Sequence, residues 1–159
     1  MHEPEQVPFS HSLSALITEA TVRAGVAVKS WEEAVDHVGS LLLKAGKIQP
    51  GYISAMKRVL QEMGPYAVIA PGIALLHARP EDGVVEPCLG LITLSTPVAF
   101  GHSQNDPVDL VFALGATDKQ SHILALQQLG LLLGRDEKLK AIRAAREGRA
   151  LVEIISANG

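Results

Sequence analysis

The chain has 159 residues, 47% hydrophobic and 19% charged, with a formal net charge of -3, which supports a buried core and argues against disorder. That balance lacks the basic footprint of a nucleic-acid binder, and no apolar run reaches the length of a membrane span. The opening "MHEPEQVPFSHS" is acidic and proline-containing where a secretory signal is basic and then apolar, and the one cysteine, Cys88, forbids an intrachain disulfide framework; both features fit a reducing, cytoplasmic location.

Residues 1–10 read as a flexible N-terminus and residues 11–159 as one domain, without repeats, low-complexity tracts or linkers rich in Gly, Pro and Ser. The stretch "SWEEAVDHVGSLLLKAGKI" opens as a capping box, with Ser30 at the cap and Glu33 three residues later. Trp31, Ala34, Val35, Val38, Leu41, Leu42 and Ala45 follow at helical spacing, and Gly46 stops the helix. A second helix is predicted over residues 50–63: Pro50 suits its first turn, and Tyr52, Met56, Val59, Leu60 and Met63 make a buried stripe. "YAVIA" and "IALL" then read as short buried strands separated by a turn or bulge at Pro71 and Gly72.

In the second half, "EPCLGLITLSTPVAF" reads as a long strand broken at Pro97, and "PVDLVFALGA" as another, both too continuously apolar for a half-exposed sheet. "HILALQQLGLLLG" returns to the helical period through Ile123, Leu126, Leu129, Leu132 and Leu133. A charged helix over residues 135–146 and a last helix or strand at "ALVEIIS" close the chain. Interleaved helices and buried strands give an α/β class, a mixed β-sheet flanked by helices on both faces.

Of the six histidines, His2 and His11 fall in the loose N-terminus and His37 on the polar side of the capped helix, where solvated surface explains them. His77, His102 and His122 each stand at the end of an element or just beyond it, where α/β folds keep their sites. Thr117 or Asp118 caps the helix that carries His122, and a helix start offers unpaired N–H groups to an anion. Neutral imidazole is nucleophilic near pH 7, so a phosphoryl group on His77 is chemically reasonable. The histidines lack the spacing of a dedicated zinc site, so neither metal nor cofactor is expected. No G-x-S-x-G elbow suggests a hydrolase. Cys88 reads as a small buried strand residue. Each histidine alone also fits a structural loop role, and the residues by themselves stop at a histidine-centred site.

Two blocks carry more. "GPYAVIAPGIALLHARPEDGV" and "PVAFGHSQNDPVDLVFALGATDKQSHILALQQL" resemble the IIA component of the bacterial phosphoenolpyruvate-dependent sugar phosphotransferase system (PTS), mannitol/fructose type, within it most closely the ascorbate branch. The resemblance runs from about Leu13 through nearly the whole chain and implies the mannitol/fructose-type IIA fold. It further implies a cytoplasmic phosphocarrier that takes a phosphoryl group from the histidine protein HPr and passes it to a IIB component, with a membrane IIC moving the sugar. The family's phosphorylated histidine lands on His77, with Nε2 as the usual acceptor atom, and its second active-site histidine lands on His122. Arg79 is a candidate phosphate partner, Asp118 a helix cap or an orienter of His122, and Ser121 and His102 candidates for the rim. The alternative is a regulatory module of the nitrogen-PTS kind, which reports its phosphorylation state by binding a target protein.

Two positions depart from the family pattern. Leu76 replaces the proline that usually precedes the phosphorylated histidine; no functional group is lost, and a modest effect is expected. The arginine that mannitol members carry on the preceding helix has no clean counterpart in "MKRVLQEMG", where Arg58 is the nearest guanidinium.

Overall fold

Along the strand β5 (Val108–Gly115), Leu110, Phe112 and Leu114 alternate with Val111 and Ala113, and both sets are buried. A strand apolar on both faces needs cover on both faces. The computed structural model, which describes residues 13–157, supplies it. Five strands, completed by β1 (Val22–Val26), β2 (Val68–Ala70), β3 (Ile73–Leu76) and β4 (Cys88–Val98), form one sheet in the order β1-β4-β5-β3-β2. The sheet is mixed: β1 with β4 and β3 with β5 are parallel, while β4 with β5 and β2 with β3 are antiparallel.

Helices α2 (Trp31–Lys44) and α3 (Pro50–Met63) cover one face, burying Val38, Leu42, Tyr52 and Met56 against Leu76, Val111 and Ala113. The other face carries α1 (Leu13–Leu16), α4 (Lys119–Leu133), α5 (Asp136–Ala144) and α6 (Gly148–Ser156), with Leu129, Ile142 and Leu151 against Leu75 and Phe112. The predicted class, a mixed sheet flanked by helices on both faces, is the observed one.

Local chemistry sets the element ends. Ser30 Oγ accepts the Glu33 N–H at 3.2 Å, whereas the Glu33 carboxylate reaches past the cap to the Lys29 N–H at 2.5 Å, one residue earlier than a reciprocal capping box requires. Gly72 turns β2 into β3 at φ 75°, a backbone conformation that favours glycine; a Cβ there would also lie 2.7 Å from Asp109 Oδ1 and displace that side chain.

Several predicted details change. The strand β4 runs through Pro97 to Val98, because its pairing with β5 slips between Thr93 and Val98 and leaves the proline exposed where no ladder N–H is needed. Met63 is 60% exposed and Val59 half-buried, so the α3 stripe is carried by Tyr52, Ala55, Met56 and Leu60. In α4, Ile123 is half-exposed, and Ala125, Leu129 and Leu132 make the buried side. "ALVEIIS" is helical. The predicted N-terminal segment, with His2 and His11, lies outside the described residues.

Candidate functional site

Parallel pairing of β3 with β5, ending at Leu76 opposite Ala113, makes both strands deliver their outgoing chains at the same edge of the sheet. In an open α/β sheet that edge is where a site forms. His77 is the first residue beyond β3, and the segment after β5 leads directly into α4. Asp118 caps that helix: its Oδ1 accepts the Ser121 N–H at 2.7 Å, and its carbonyl accepts the His122 N–H at 3.1 Å. His122 therefore ends the first turn, and its ring meets that of His77 with centroids 5.1 Å apart at 54°. Two histidines 45 positions apart in the numbering thus become one pair beside the positive end of α4.

The pair lies in an open groove of about 920 Å³. Val59, Met63 and Arg58 of α3 form one wall, and Ala78, Arg79 and Lys119 complete it. Apolar side chains and charges of both signs face the opening, since Glu62, Glu81, Asp82 and Asp118 line it beside the three cations; a rim of that mixed kind suits a surface where a partner docks.

His77 has two unlike nitrogens. Nδ1 is sealed from solvent, without a hydrogen-bond partner at bonding geometry among the described residues. Burial lowers the affinity of the ring for a proton, the nearby His122 lowers it further, and the Leu75 carbonyl acts in the opposite direction. The ring is thereby biased towards its neutral form, and Nε2 is the nitrogen left to face the groove.

The other predicted residues separate clearly. Arg79 lines the groove, 74% exposed, with its Nε 3.5 Å from Asp82 Oδ2 and 3.6 Å from Glu81 Oε1; such loose, solvated pairs hold it weakly and leave it able to turn to an anion. Asp118 lines the groove as the cap of α4. Ser121 is buried, so it contributes to the capping turn through its N–H and its hydroxyl is not on the rim. His102 is elsewhere: it belongs to the β4–β5 connection, at the opposite end of β5 from the segment that leads to His122. There its Nδ1 accepts the Gln104 and Asn105 N–H groups at 3.1 and 3.0 Å, a loop-shaping role. Arg58 lines the groove from α3.

Tyr52 is the residue that periodicity did not single out beyond its place in a stripe. Its hydroxyl, fully buried, donates to the Leu114 carbonyl at 2.7 Å and accepts the Ala78 N–H at 2.9 Å, adjoining both strands that build the site.

Residues 15–158 match the model of the family described as phosphoenolpyruvate-dependent sugar phosphotransferase system, EIIA 2. The chain belongs to this family. An ascorbate-specific PTS system EIIA component of Escherichia coli K12 is 34% identical over 142 residues, covering 89% of this chain and 92% of that protein. The solution structure of a mannitol-specific cryptic phosphotransferase enzyme IIA from E. coli superposes with a TM-score of 0.81 at 35% identity, over 91% of this chain and 97% of that one. The same fold, at 21% identity and a TM-score of 0.77, occurs in the E. coli complex of mannitol enzyme IIA with phosphorylated enzyme IIB, covering 88% of this chain and 96% of that one.

As an EIIA protein the chain carries sugar-phosphotransferase machinery on a sheet-and-helix frame in which, among the described residues, no helix is long and apolar enough to cross a membrane. No group of three His, Cys, Asp or Glu side chains among them is placed to hold a metal ion. Leu76 is buried at the end of β3, and its pairing with Ala113 spends its N–H on the ladder to β5. Leu76→Pro removes that bond and a buried side chain, so the cost is larger than the sequence alone suggests. We expect a folded protein about 3 kcal/mol less stable, with a melting temperature roughly 6–12 °C lower in a thermal scan.

Proposed function

We propose that this EIIA component is a phosphocarrier that accepts a phosphoryl group from HPr on His77 Nε2 and passes it to a IIB component. The observation that carries the reading is the His77–His122 pair, with one nitrogen of His77 sealed and the other left to the groove. In the first step the Nε2 lone pair attacks phosphorus while the phosphorus–nitrogen bond to HPr breaks and the HPr imidazole leaves. The second step is the same displacement in reverse sense, with phospho-His77 as donor and the IIB side chain as nucleophile. Positioning and electrostatics supply most of the catalysis in such transfers. His122 donates a hydrogen bond to the transferred group, and the first turn of α4 and Arg79 add positive potential.

The partner assignment draws on the family and on the E. coli mannitol complex of a IIA with a phosphorylated IIB. Identity to ascorbate-specific relatives points to ascorbate-type sugar uptake through a membrane IIC, with this component in the cytoplasm. A regulatory role of the nitrogen kind has weaker support: the nitrogen regulatory IIA structure from Neisseria meningitidis is 16% identical and shares the fold alone.

The test is intact mass and peptide mapping after incubation with phosphoenolpyruvate, enzyme I and HPr. One acid-labile phosphate on the His77 peptide is the expected result. An unmodified chain in the presence of phosphorylated cognate HPr overturns the reading.

A further inference from the structure

The parallel ladder between β3 and β5 stops one bond early. Its pairs run from Ile73 with Leu110 to Leu76 with Ala113, and the Leu110 N–H donates to the Gly72 carbonyl at 3.0 Å. That phase makes alternate β5 residues, Leu110, Phe112 and Leu114, the ones whose N–H and carbonyl both face β3. Continued by one step, the next bond would run from the Ala78 N–H to the Leu114 carbonyl. Those two groups do have a common partner, the Tyr52 hydroxyl, which accepts from the first at 2.9 Å and donates to the second at 2.7 Å. Its single proton is committed to Leu114, since the Ala78 carbonyl is farther away at 3.4 Å.

We infer that Tyr52 is a positioning residue for His77: its hydroxyl takes the place of the missing ladder bond and wedges the chain after β3 away from β5. The sides of the sheet agree with this. Leu76 packs in the core beneath α2 and α3, and Ala78 against the same core, whereas Leu75 packs in the core beneath α4. Strand alternation thus turns His77 towards α4 and His122, while Tyr52 enters from α3 on the opposite side. The hydroxyl is an inserted spacer with one donor and one acceptor face. It satisfies both backbone groups, so the strands part without leaving a buried polar group unpaired. The wedge sets where the His77 backbone leaves the sheet and hence where its ring meets His122. Without it, the two backbone groups are free to close on each other or to take up water, and either outcome moves His77.

This inference rests on the proposed role of His77, so the experiment has one readout that needs no phosphate. Tyr52→Phe keeps the ring and removes the oxygen. We expect phosphoryl uptake from phospho-HPr to slow at least tenfold, and the His77 ring, followed by nitrogen-15 NMR, to titrate at a higher pH than in the parent as the ring becomes more hydrated. Ile142→Val, in the core under α5 and remote from the groove, serves as a control for destabilisation and should leave both quantities unchanged. If Tyr52→Phe folds and the titration moves no more than in the control, or uptake does not slow where the parent takes up phosphate, the positioning role is wrong. If the variant fails to fold, 3-fluorotyrosine at position 52 retains the packing while making the hydroxyl a stronger donor and a weaker acceptor. It should then shift the Ala78 amide resonance and the His77 titration, and an unchanged titration overturns the inference. If the parent takes up no phosphate, the proposed function fails, and the titration still decides the role of Tyr52.

Discussion

His77→Ala is expected to take up no phosphate from phospho-HPr while keeping its fold. The variant deletes the proposed nucleophile, so the expected loss in transfer is complete rather than graded. Structural cost is small for a reason visible in the site: His77 Nδ1 has no partner at bonding geometry among the described residues, so removing the ring strands no buried donor or acceptor beyond the weakly engaged Leu75 carbonyl. We expect the melting temperature to stay within a few degrees, about 1 kcal/mol of stability. Intact mass after incubation with the phosphorylating proteins reads the first quantity and a thermal scan the second. Phosphate recovered on His122 in this variant would reverse the roles assigned to the two rings.

The same ring sets a pH dependence whose sign follows from its environment. Burial and then the neighbouring His122 hold the proton affinity of His77 below the usual value of 6.5. The unfolded chain therefore binds this proton more readily than the folded one. Its contribution to stability is full above the unfolded value and is lost as the pH falls through the folded one. As the proposed nucleophile, His77 would follow the same curve: uptake should hold down to a lower pH than an ordinary histidine allows, then fall as the ring protonates.

How far the sequence reveals this structure depends on whether a residue's role is local. The helices α2 and α3 were legible because cap, stripe and terminator all lie within one short stretch: Ser30 to Gly46 for the first, Pro50 to Gly64 for the second. The edge strand β1 was not, since Arg23 and Gly25 interrupt its apolar run and only Val22 and Val26 are buried. Met63 and Ile123 follow a helical stripe yet remain exposed. Met63 lines the groove, so periodicity alone could not separate a core position from a site wall. For the candidate site, the family blocks singled out His77 and His122, but only the parallel pairing of β3 with β5 explains why they meet. His102 looked equivalent by its position at a strand end. It falls at the wrong end of the sheet because β4 and β5 are antiparallel neighbours, a fact carried by topology and by no local signal. Tyr52 was invisible as a polar residue because its function is spent on backbone groups of two other elements.

The complementary result concerns His122→Ala. This variant should still be phosphorylated on His77, but about a hundredfold more slowly, the usual cost of losing one preorganised donor to a charged transition state. Slower transfer alone would also follow from a damaged helix start, so a second readout is needed. Asp118 caps α4 through the Ser121 N–H, independently of the His122 side chain, and the helix should therefore survive the substitution. The second readout is the titration of His77. Removing a neighbour that lowers its proton affinity raises that affinity, while the larger effect of burial persists, so the shift is partial. The acid limb of the uptake profile should accordingly move to higher pH in His122→Ala, and His122→Gln, which keeps a donor without the charge, should recover rate while retaining the shifted limb. A fall in rate with an unmoved limb would mean that His122 supports the site only through packing. An unchanged rate and an unmoved limb would remove it from the mechanism and leave the 5.1 Å ring pair as a consequence of the fold.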